Sequence, residues 1–424
     1  MPHTEPTRIA SPEQPFPIDR RQFMKVAAIS TASAFAGSAI TAAAEPPGPN
    51  RPAQGIGAAS NQEVPLAPPD AQPPELPIPK PVVKKMGWAV VGLGELTLGQ
   101  VMPAFAQCKY SVPVALVSGH LDKARTVAKA YHIEEKSIYN YDNFDRIIDD
   151  PAIDIVYIVL PNSMHAEYTI RALQAGKHVL CEKPMAPTVV ECENMIAAAK
   201  KADRKLMIAY RLHYEPANLA VMELCKTKTL GELRTFSSGN CQDVSAPNIR
   251  LSSKLGGGPV GDVGVYSINA ARYCTGEEPV EVTAFAQQPA GDPRFREVPE
   301  SVSFTMRFPS GVLAMCECSF GTARSEFYRV VCTRGFIEMD PAFSYQGQRV
   351  MVKESGGKDF GPRKSQLEIK EINQFTAEFD HFSQCILNNK EPRTPGEEGL
   401  ADMRVVTAIY ESVKTGRPVK IGSA

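Results

Sequence analysis

The chain has no excess of basic charge: 46 Lys plus Arg stand against 47 Asp plus Glu, for a formal net charge of −1. Broad binding to a phosphate backbone needs such an excess, so nonspecific nucleic-acid binding is excluded as a first reading. Paired CxxC spacing is absent as well. The ten cysteines, at 108, 181, 192, 225, 241, 274, 316, 318, 332 and 385, are scattered, so neither a zinc site nor a dense disulfide framework is expected and no metal is assigned. The one long stretch of small apolar residues, near the N-terminus, lacks the Leu- or Val-rich centre of a membrane anchor. What is present is the composition of a soluble globular protein. With 424 residues, 43% hydrophobic and 22% charged, the chain can fill the cores of two or three domains, which excludes disorder of the whole.

Residues 1–44 read as an address. Asp19-Arg20-Arg21-Gln22-Phe23-Met24-Lys25 precedes an Ala- and Ser-rich stretch that closes on an Ala-x-Ala site at Ala42 to Ala44, the pattern of a twin-arginine signal peptide. That route carries folded proteins, so a protein that captures its cofactor in the cytoplasm can reach the periplasm loaded. No stable membrane anchor is expected after cleavage. Residues 45–85 form a proline-rich arm, either a tether or a strap on the body of the protein.

Residues 86–212 read as a dinucleotide-binding domain. The apolar run Gly87-Trp88-Ala89-Val90-Val91 leads into Gly92-Leu93-Gly94-Glu95-Leu96-Thr97 and then a helical pattern. A buried strand, a Gly-x-Gly turn and a helix start form a phosphate cradle, because glycine lets backbone approach a pyrophosphate and the helix end offers free N–H groups. Gly92, Leu93, Gly94 and Leu96 are therefore candidate cofactor contacts. Further apolar strands at 113–118, 154–160, 178–181 and 205–209 alternate with helical patterns, which makes a mostly parallel sheet. At Val117-Ser118-Gly119-His120, where an NAD-preferring domain places a carboxylate on the ribose, there is none. Ser118 and Lys123 offer a hydroxyl and a cation instead, so NADP is expected in preference to NAD.

Leu160-Pro161-Asn162-Ser163-Met164-His165 and Cys181-Glu182-Lys183-Pro184, set in this fold, resemble the glucose-fructose oxidoreductase, inositol dehydrogenase and rhizopine catabolism family. Within it the chain is most similar to the periplasmic glucose-fructose oxidoreductases. That similarity rests on Val117-Ser118-Gly119, Ser137-Ile138-Tyr139-Asn140-Tyr141, Tyr210-Arg211-Leu212-His213-Tyr214, Gly264-Val265-Tyr266-Ser267-Ile268-Asn269 and Pro395-Gly396-Glu397-Glu398-Gly399. The resemblance runs from about Trp88 to Gly416-Arg417-Pro418 and implies an α/β architecture, a Rossmann domain followed by an α+β domain with a large, mainly antiparallel open sheet.

It also implies roles. Lys183 would lie beside the nicotinamide and the reacting hydroxyl, relaying a proton and stabilising a developing alkoxide. Glu182 would hold the nicotinamide ribose. Asp262 and Tyr266, four apart and so on one helical face, would complete the catalytic set, with Tyr266 as acid/base and Asp262 orienting the sugar or the lysine. Leu160, Asn162, His165 and Arg211 would face the cofactor and Tyr139 its adenine; Tyr214 and Arg250 would touch sugar. Two departures stand out: Thr97 at the third small position of the fingerprint, and Glu95 where close relatives carry a basic residue near the phosphates.

Residues 213–424 read as the substrate-binding and oligomerisation domain. Val302, Phe304, Met306 and Phe308 alternate with polar residues, a Pro309-Ser310-Gly311 turn follows, and Val312, Ala314, Cys316, Cys318 and Phe320 alternate again. Helical stretches at 375–387 and 397–413 close the chain and could pack back on the first domain. A homodimer or homotetramer is expected from the resemblance. The function expected is a periplasmic NADP-dependent sugar oxidoreductase that oxidises one aldose and reduces a second sugar with a retained cofactor. A single-substrate sugar or polyol dehydrogenase and a catalytically inactive sugar sensor are the alternatives.

Overall fold

The computed structural model describes residues 84–356 and 361–422; the signal-like segment and nearly all of the proline-rich arm lie outside them. Residues 84–424 form one compact unit. Its first sheet holds β1 (Met86–Val91), β2 (Ser111–Val117), β3 (Ile138–Tyr139), β4 (Ile155–Ile158), β5 (His178–Glu182) and β6 (Leu206–Ala209). The strands are all parallel and run in the order β3-β2-β1-β4-β5-β6. This is the doubly wound order, whose reversal between β1 and β4 leaves a crevice at the carboxyl ends of the strands. Both faces are covered, so β1 and β4 are buried throughout and read as continuous apolar runs.

Helices cover the sheet. α1 (Met102–Phe105) continues the wide helical turn Thr97–Val101 after the glycine loop, and α2 (Leu121–Tyr131) follows β2. α3 (His165–Gln174) and α4 (Val189–Ala202) follow β4 and β5, α4 starting in a capping box between Thr188 and Glu191. α5 (Pro216–Lys226) and α6 (Val265–Thr275) belong to the second half, and α7 (Gln374–Leu387) and α8 (Gly396–Thr415) close the chain.

α7 packs back onto the first sheet. Trp88 Nε1 donates to Ser383 Oγ at 3.2 Å, and the Phe105 and Phe379 rings stack with centroids 4.8 Å apart. The single tryptophan thus sits in a cage of Phe105, Tyr157, Phe379 and Phe382 that joins the two ends of the described chain.

The second sheet has nine strands: β7 (Leu233–Asp243), β8 (Glu281–Gln287), β9 (Ser301–Arg307), β10 (Leu313–Ser319), β11 (Gly321–Cys332), β12 (Gly335–Met339), β13 (Val350–Glu354), β14 (Arg363–Gln366) and β15 (Val419–Lys420). All pairs are antiparallel except β7 with β10. In β9 and β10, Val302, Phe304, Met306, Ala314, Cys316 and Cys318 are buried on the inner face, which packs on α6 and α8. The period of two in the sequence is this one-sided burial. On the outer face Phe285, Leu313 and Met315 stand exposed. No helix of the described residues is long and apolar enough to cross a membrane.

Candidate active site

The glycine loop after β1 fits a pyrophosphate. Gly92 has φ +96°, and a Cβ there would lie 2.2 Å from the Val159 carbonyl oxygen, so only glycine is accommodated. Around Gly94 no atom lies within 4 Å of where a Cβ would stand, which leaves the backbone open to a ligand. Thr97, the departure from the fingerprint, is fully buried, and its hydroxyl donates to Gly92 O at 2.7 Å. A larger residue is tolerated there because it closes the loop it follows. Leu93 is buried beneath the loop, Leu96 is half-buried and Glu95 is exposed.

At the end of β2, Ser118 Oγ accepts from His120 N at 3.1 Å, and Lys123 Nζ donates to Leu93 O at 3.3 Å. A cation therefore sits against the glycine loop, and the strand end carries no carboxylate. Tyr139 is placed differently from the expected adenine cover: its ring is buried and its hydroxyl donates to Asp150 Oδ2 at 3.1 Å. Tyr141 is the aromatic beside this strand end, since a Cβ on Gly119 would come 3.1 Å from its Cε2. Sequence reading passed over it because two tyrosines two residues apart give no sign of which one turns inward.

The reacting groups gather at the far side of the crevice. The turn after β5 contains a cis Lys183–Pro184 peptide. From it Lys183 Nζ donates to Asp262 O at 2.7 Å and to Asp262 Oδ1 at 3.1 Å. Arg250 Nε donates to Asp262 Oδ2 at 2.6 Å, so one carboxylate lies between two cations. Burial alone would push Lys183 down, but Asp262, with Tyr266 and Glu182, outweighs it and holds the ammonium above its ordinary value. Burial would push Asp262 up, yet Lys183 and Arg250 drive it well below the usual carboxylate range. Both are charged at neutral pH.

Asp262 lies in the wide helical turn Val260–Gly264 that leads into α6, and Tyr266 in the first turn of α6 itself. The four-residue spacing does bring them together. The contact between Tyr266 and Lys183 is made by the ring, with Nζ 4.6 Å from the ring centroid. Behind that ring the Arg211 guanidinium lies 5.2 Å from the centroid.

Arg211 is buried, and its guanidinium donates to Phe343 O at 2.6 Å, to Ser344 O at 3.2 Å and to Gln374 Oε1. These bonds commit it to the loop at 343–345, whose Tyr345 ring it also faces at 4.6 Å. The structure does not bring Tyr214 into this cluster. Its buried hydroxyl meets Thr394 Oγ1 at 3.3 Å and its ring lies against His381.

Three residues expected to face the cofactor brace the neighbouring loops. Leu160 is buried at the end of β4; Asn162 Nδ2 donates to Gly256 O at 2.8 Å. His165 is fully buried with Nδ1 2.9 Å from Pro184 O and Nε2 2.9 Å from Leu160 O. Two carbonyls favour the charged ring, yet burial dominates and lowers the imidazole below its ordinary value. The neutral ring donates to one of them.

Glu182 accepts from Tyr157 Oη at 2.6 Å and from Lys183 N at 3.1 Å; burial pushes its carboxyl up against the pull of Lys183. Sequence reading also missed Glu378 of α7. It is fully buried beneath this point, and burial with Glu182 nearby raises it well above its ordinary value. Among the described residues no cluster of His, Cys, Asp or Glu could hold a metal ion.

Known proteins resemble this chain in sequence and fold. Residues 86–210 match the family model described as "Oxidoreductase family, NAD-binding Rossmann fold", and residues 218–338 match the GFO/IDH/MocA C-terminal domain. A D-xylose 1-dehydrogenase [NADP(+)] of Haloarcula marismortui is 32% identical over 342 residues, which is 79% of this chain and 92% of that protein. The crystal structure of aldose-aldose oxidoreductase from Caulobacter crescentus, complexed with glycerol, is 45% identical, with a TM-score of 0.76 over 80% of this chain and all of that one. KijD10, a 3-ketoreductase from Actinomadura kijaniata, shares the fold at 23% identity and a TM-score of 0.69, over 78% of this chain and 98% of that one. With its nucleotide fold, its Lys183–Asp262 pair and these matches, the chain belongs to the GFO/IDH/MocA family of oxidoreductases.

Proposed function

We propose that this protein is an exported, NADP-dependent sugar oxidoreductase that oxidises one aldose and reduces a second sugar with a retained cofactor. The observation that carries the reading is the Lys183 ammonium, held charged by Asp262 and covered by the Tyr266 ring, at the carboxyl edge of a parallel sheet. The aldose-aldose oxidoreductase at 45% identity supports transfer between two sugars, and the NADP(+) in the xylose dehydrogenase's name supports the cofactor. Arg20-Arg21 and the Ala42 to Ala44 site support export to the periplasm, where no free nicotinamide pool would replace a lost cofactor. The exposed outer face of the second sheet supports a homodimer or homotetramer, which sedimentation of the mature protein tests.

Gly92, Gly94, Ser118 and Lys123 would hold the dinucleotide, which accepts and returns the hydride. The protein's part is electrostatic. An ammonium has three N–H groups, and Asp262 takes two of them on Lys183, which leaves one for the oxygen of the reacting carbon. That N–H stabilises negative charge on the oxygen as the hydride leaves, and supplies a proton in the reverse direction. Tyr266 is the second proton carrier. Asp262 acts through Lys183 and Arg250 by fixing both cations. Oxidation at an anomeric hydroxyl gives a lactone and releases one proton, and reduction of the second sugar consumes it, so the full cycle is proton-neutral.

The test is to purify the mature protein without added nucleotide, identify what a denatured sample releases, and follow absorbance at 340 nm on adding glucose and then fructose. Stoichiometric NADP and a rise that fructose reverses are expected. An empty protein that turns over only with added nucleotide would replace this reading by a single-substrate dehydrogenase. Exposed Glu95 beside Gly94, which cannot neutralise a phosphate, favours that second reading. NADP preference is tested separately by Ser118→Asp. A carboxylate facing a 2′-phosphate should lower kcat/KM for NADP on the order of a hundredfold and improve NAD. Equal effects on both cofactors would mean that Ser118 does not face the ribose.

A further inference from the structure

The segment between β4 and α3 reaches both reacting loops. Asn162, in the single turn Asn162–Met164, donates to Gly256 O. Gly256 opens the Gly256-Gly257-Gly258 loop that starts the helical turn of Asp262. Three residues after Asn162, the His165 ring lies between the Leu160 and Pro184 carbonyls, 2.9 Å from each and donating to one of them, and Pro184 follows Lys183. One six-residue stretch is thus bonded to the loop of Asp262 and seated against the loop of Lys183. The glycine loop has little room to drift: Gly256 has φ +77° and a Cβ on it would lie 2.8 Å from Asn162 Cβ, while a Cβ on Gly257 would lie 2.4 Å from Arg250 O.

We infer that Asn162 and His165 are positioning residues that set the Lys183 ammonium against Asp262, and that their task is this registration rather than contact with the dinucleotide. The two loops come from the two halves of the chain, and Lys183 and Asp262 are 79 residues apart in sequence. Without a bracket the alignment would rest on their ion pair and on the packing of Pro184 and Pro187 beside the glycine loop. A charge pair weakens as its separation grows, whereas the burial that disfavours a lone ammonium stays. Loosening either end of the bracket therefore lowers the pH at which Lys183 loses its proton. The titratable and charged groups facing Lys183 are Asp262, Glu182 and Arg250, with the Tyr266 and Tyr345 phenols and the His165 ring nearby, and of these Asp262 contributes most to holding it up.

The assay rests on the sugar oxidoreductase reading. In the direction of sugar reduction Lys183 must be protonated, and NADPH is stable in alkali, so the fall of kcat at high pH reports on Lys183. Asn162→Leu is close in size, adds no charge near Lys183 and donates nothing to Gly256 O; His165→Gln, lacking the ring, cannot fill the gap between the two carbonyls. Both are expected to bind NADPH within about threefold of wild type by its fluorescence, to lose about tenfold in kcat at pH 7, and to show the alkaline fall at least about one pH unit earlier. Asn162→Ser, smaller and still a donor, should shift it less and serves if Asn162→Leu does not fold.

Weakened NADPH binding with kcat and the alkaline fall unchanged would overturn the inference and return both residues to the cofactor. If the wild type reduces no sugar, the functional reading fails by itself. The bracket is then read from the 15Nζ titration of Lys183, assigned through Lys183→Arg. It should still move down in Asn162→Leu, and an unmoved titration overturns the inference.

Discussion

Lys183→Met is expected to lower kcat by about three orders of magnitude while leaving dinucleotide binding within a few-fold. The side chain is matched in length and apolar, so the loop at the cis peptide loses its charge but little packing. What disappears is the ammonium whose remaining N–H faces the reacting oxygen. Arg250 cannot replace it, because its Nε is committed to the opposite oxygen of Asp262 and approaches from another loop. Lys183→Arg is expected to recover little, since a planar fork places its hydrogens differently from a point-like ammonium. The checking measurement is a single turnover at saturating cofactor and sugar, followed at 340 nm. A methionine variant that keeps a tenth of the wild-type rate would mean that another group, Tyr266 being the nearest, carries the proton and the charge.

The first sheet was legible because burial on both faces forces continuous apolar strands, and the second because burial on one face forces a period of two. Chemistry was legible where a motif fixes a local turn: Gly92 and Gly94 sit where backbone must be open, and Lys183 meets Asp262 across the crevice. What sequence could not convey was direction. Tyr139 and Tyr141 differ only in which ring the end of β3 turns inward, and Arg211, beside the Tyr266 ring, is held there by carbonyls at positions 343 and 344, more than 130 residues away. Glu378 and Ser383 were silent for a related reason. They act on the first sheet only because α7 returns to it after the whole second domain has been built. Asn162 and His165 were found as residues but their partners, Gly256 and Pro184, are a tertiary fact.

Asp262→Ala is expected to cost about 3 kcal/mol of stability at pH 7, together with about a hundredfold in kcat. The side chains of Lys183 and Asp262 are only 11% and 15% exposed, so removing the acid leaves a buried ammonium without its partner. The Arg250 half of the interaction is worth less, because that guanidinium is 41% exposed and water screens it. The pH dependence follows from the two shifts. Asp262 is held below its ordinary value in the folded protein, so its contribution is complete above the unfolded value near 4 and is lost only as pH falls through the lower folded value. Lys183 is held above its ordinary value, so its share is complete below about 10.5 and is lost as pH rises through the higher folded value. The stability deficit of the variant should accordingly stay level from about pH 5 up to the lowered pH at which the unpaired Lys183 gives up its proton, and shrink above it, because a neutral amine no longer suffers from burial. The alkaline fall in sugar reduction should come at that same lowered pH, earlier than in Asn162→Leu, because the acid itself is gone and not merely displaced. Combining the two substitutions should then add little to Asp262→Ala alone, since the bracket has no partner left to align. Thermal melts and reduction rates from about pH 5 to about pH 11 check all three statements. A variant as stable as wild type, with its alkaline fall unmoved, would show that the carboxylate does not hold Lys183.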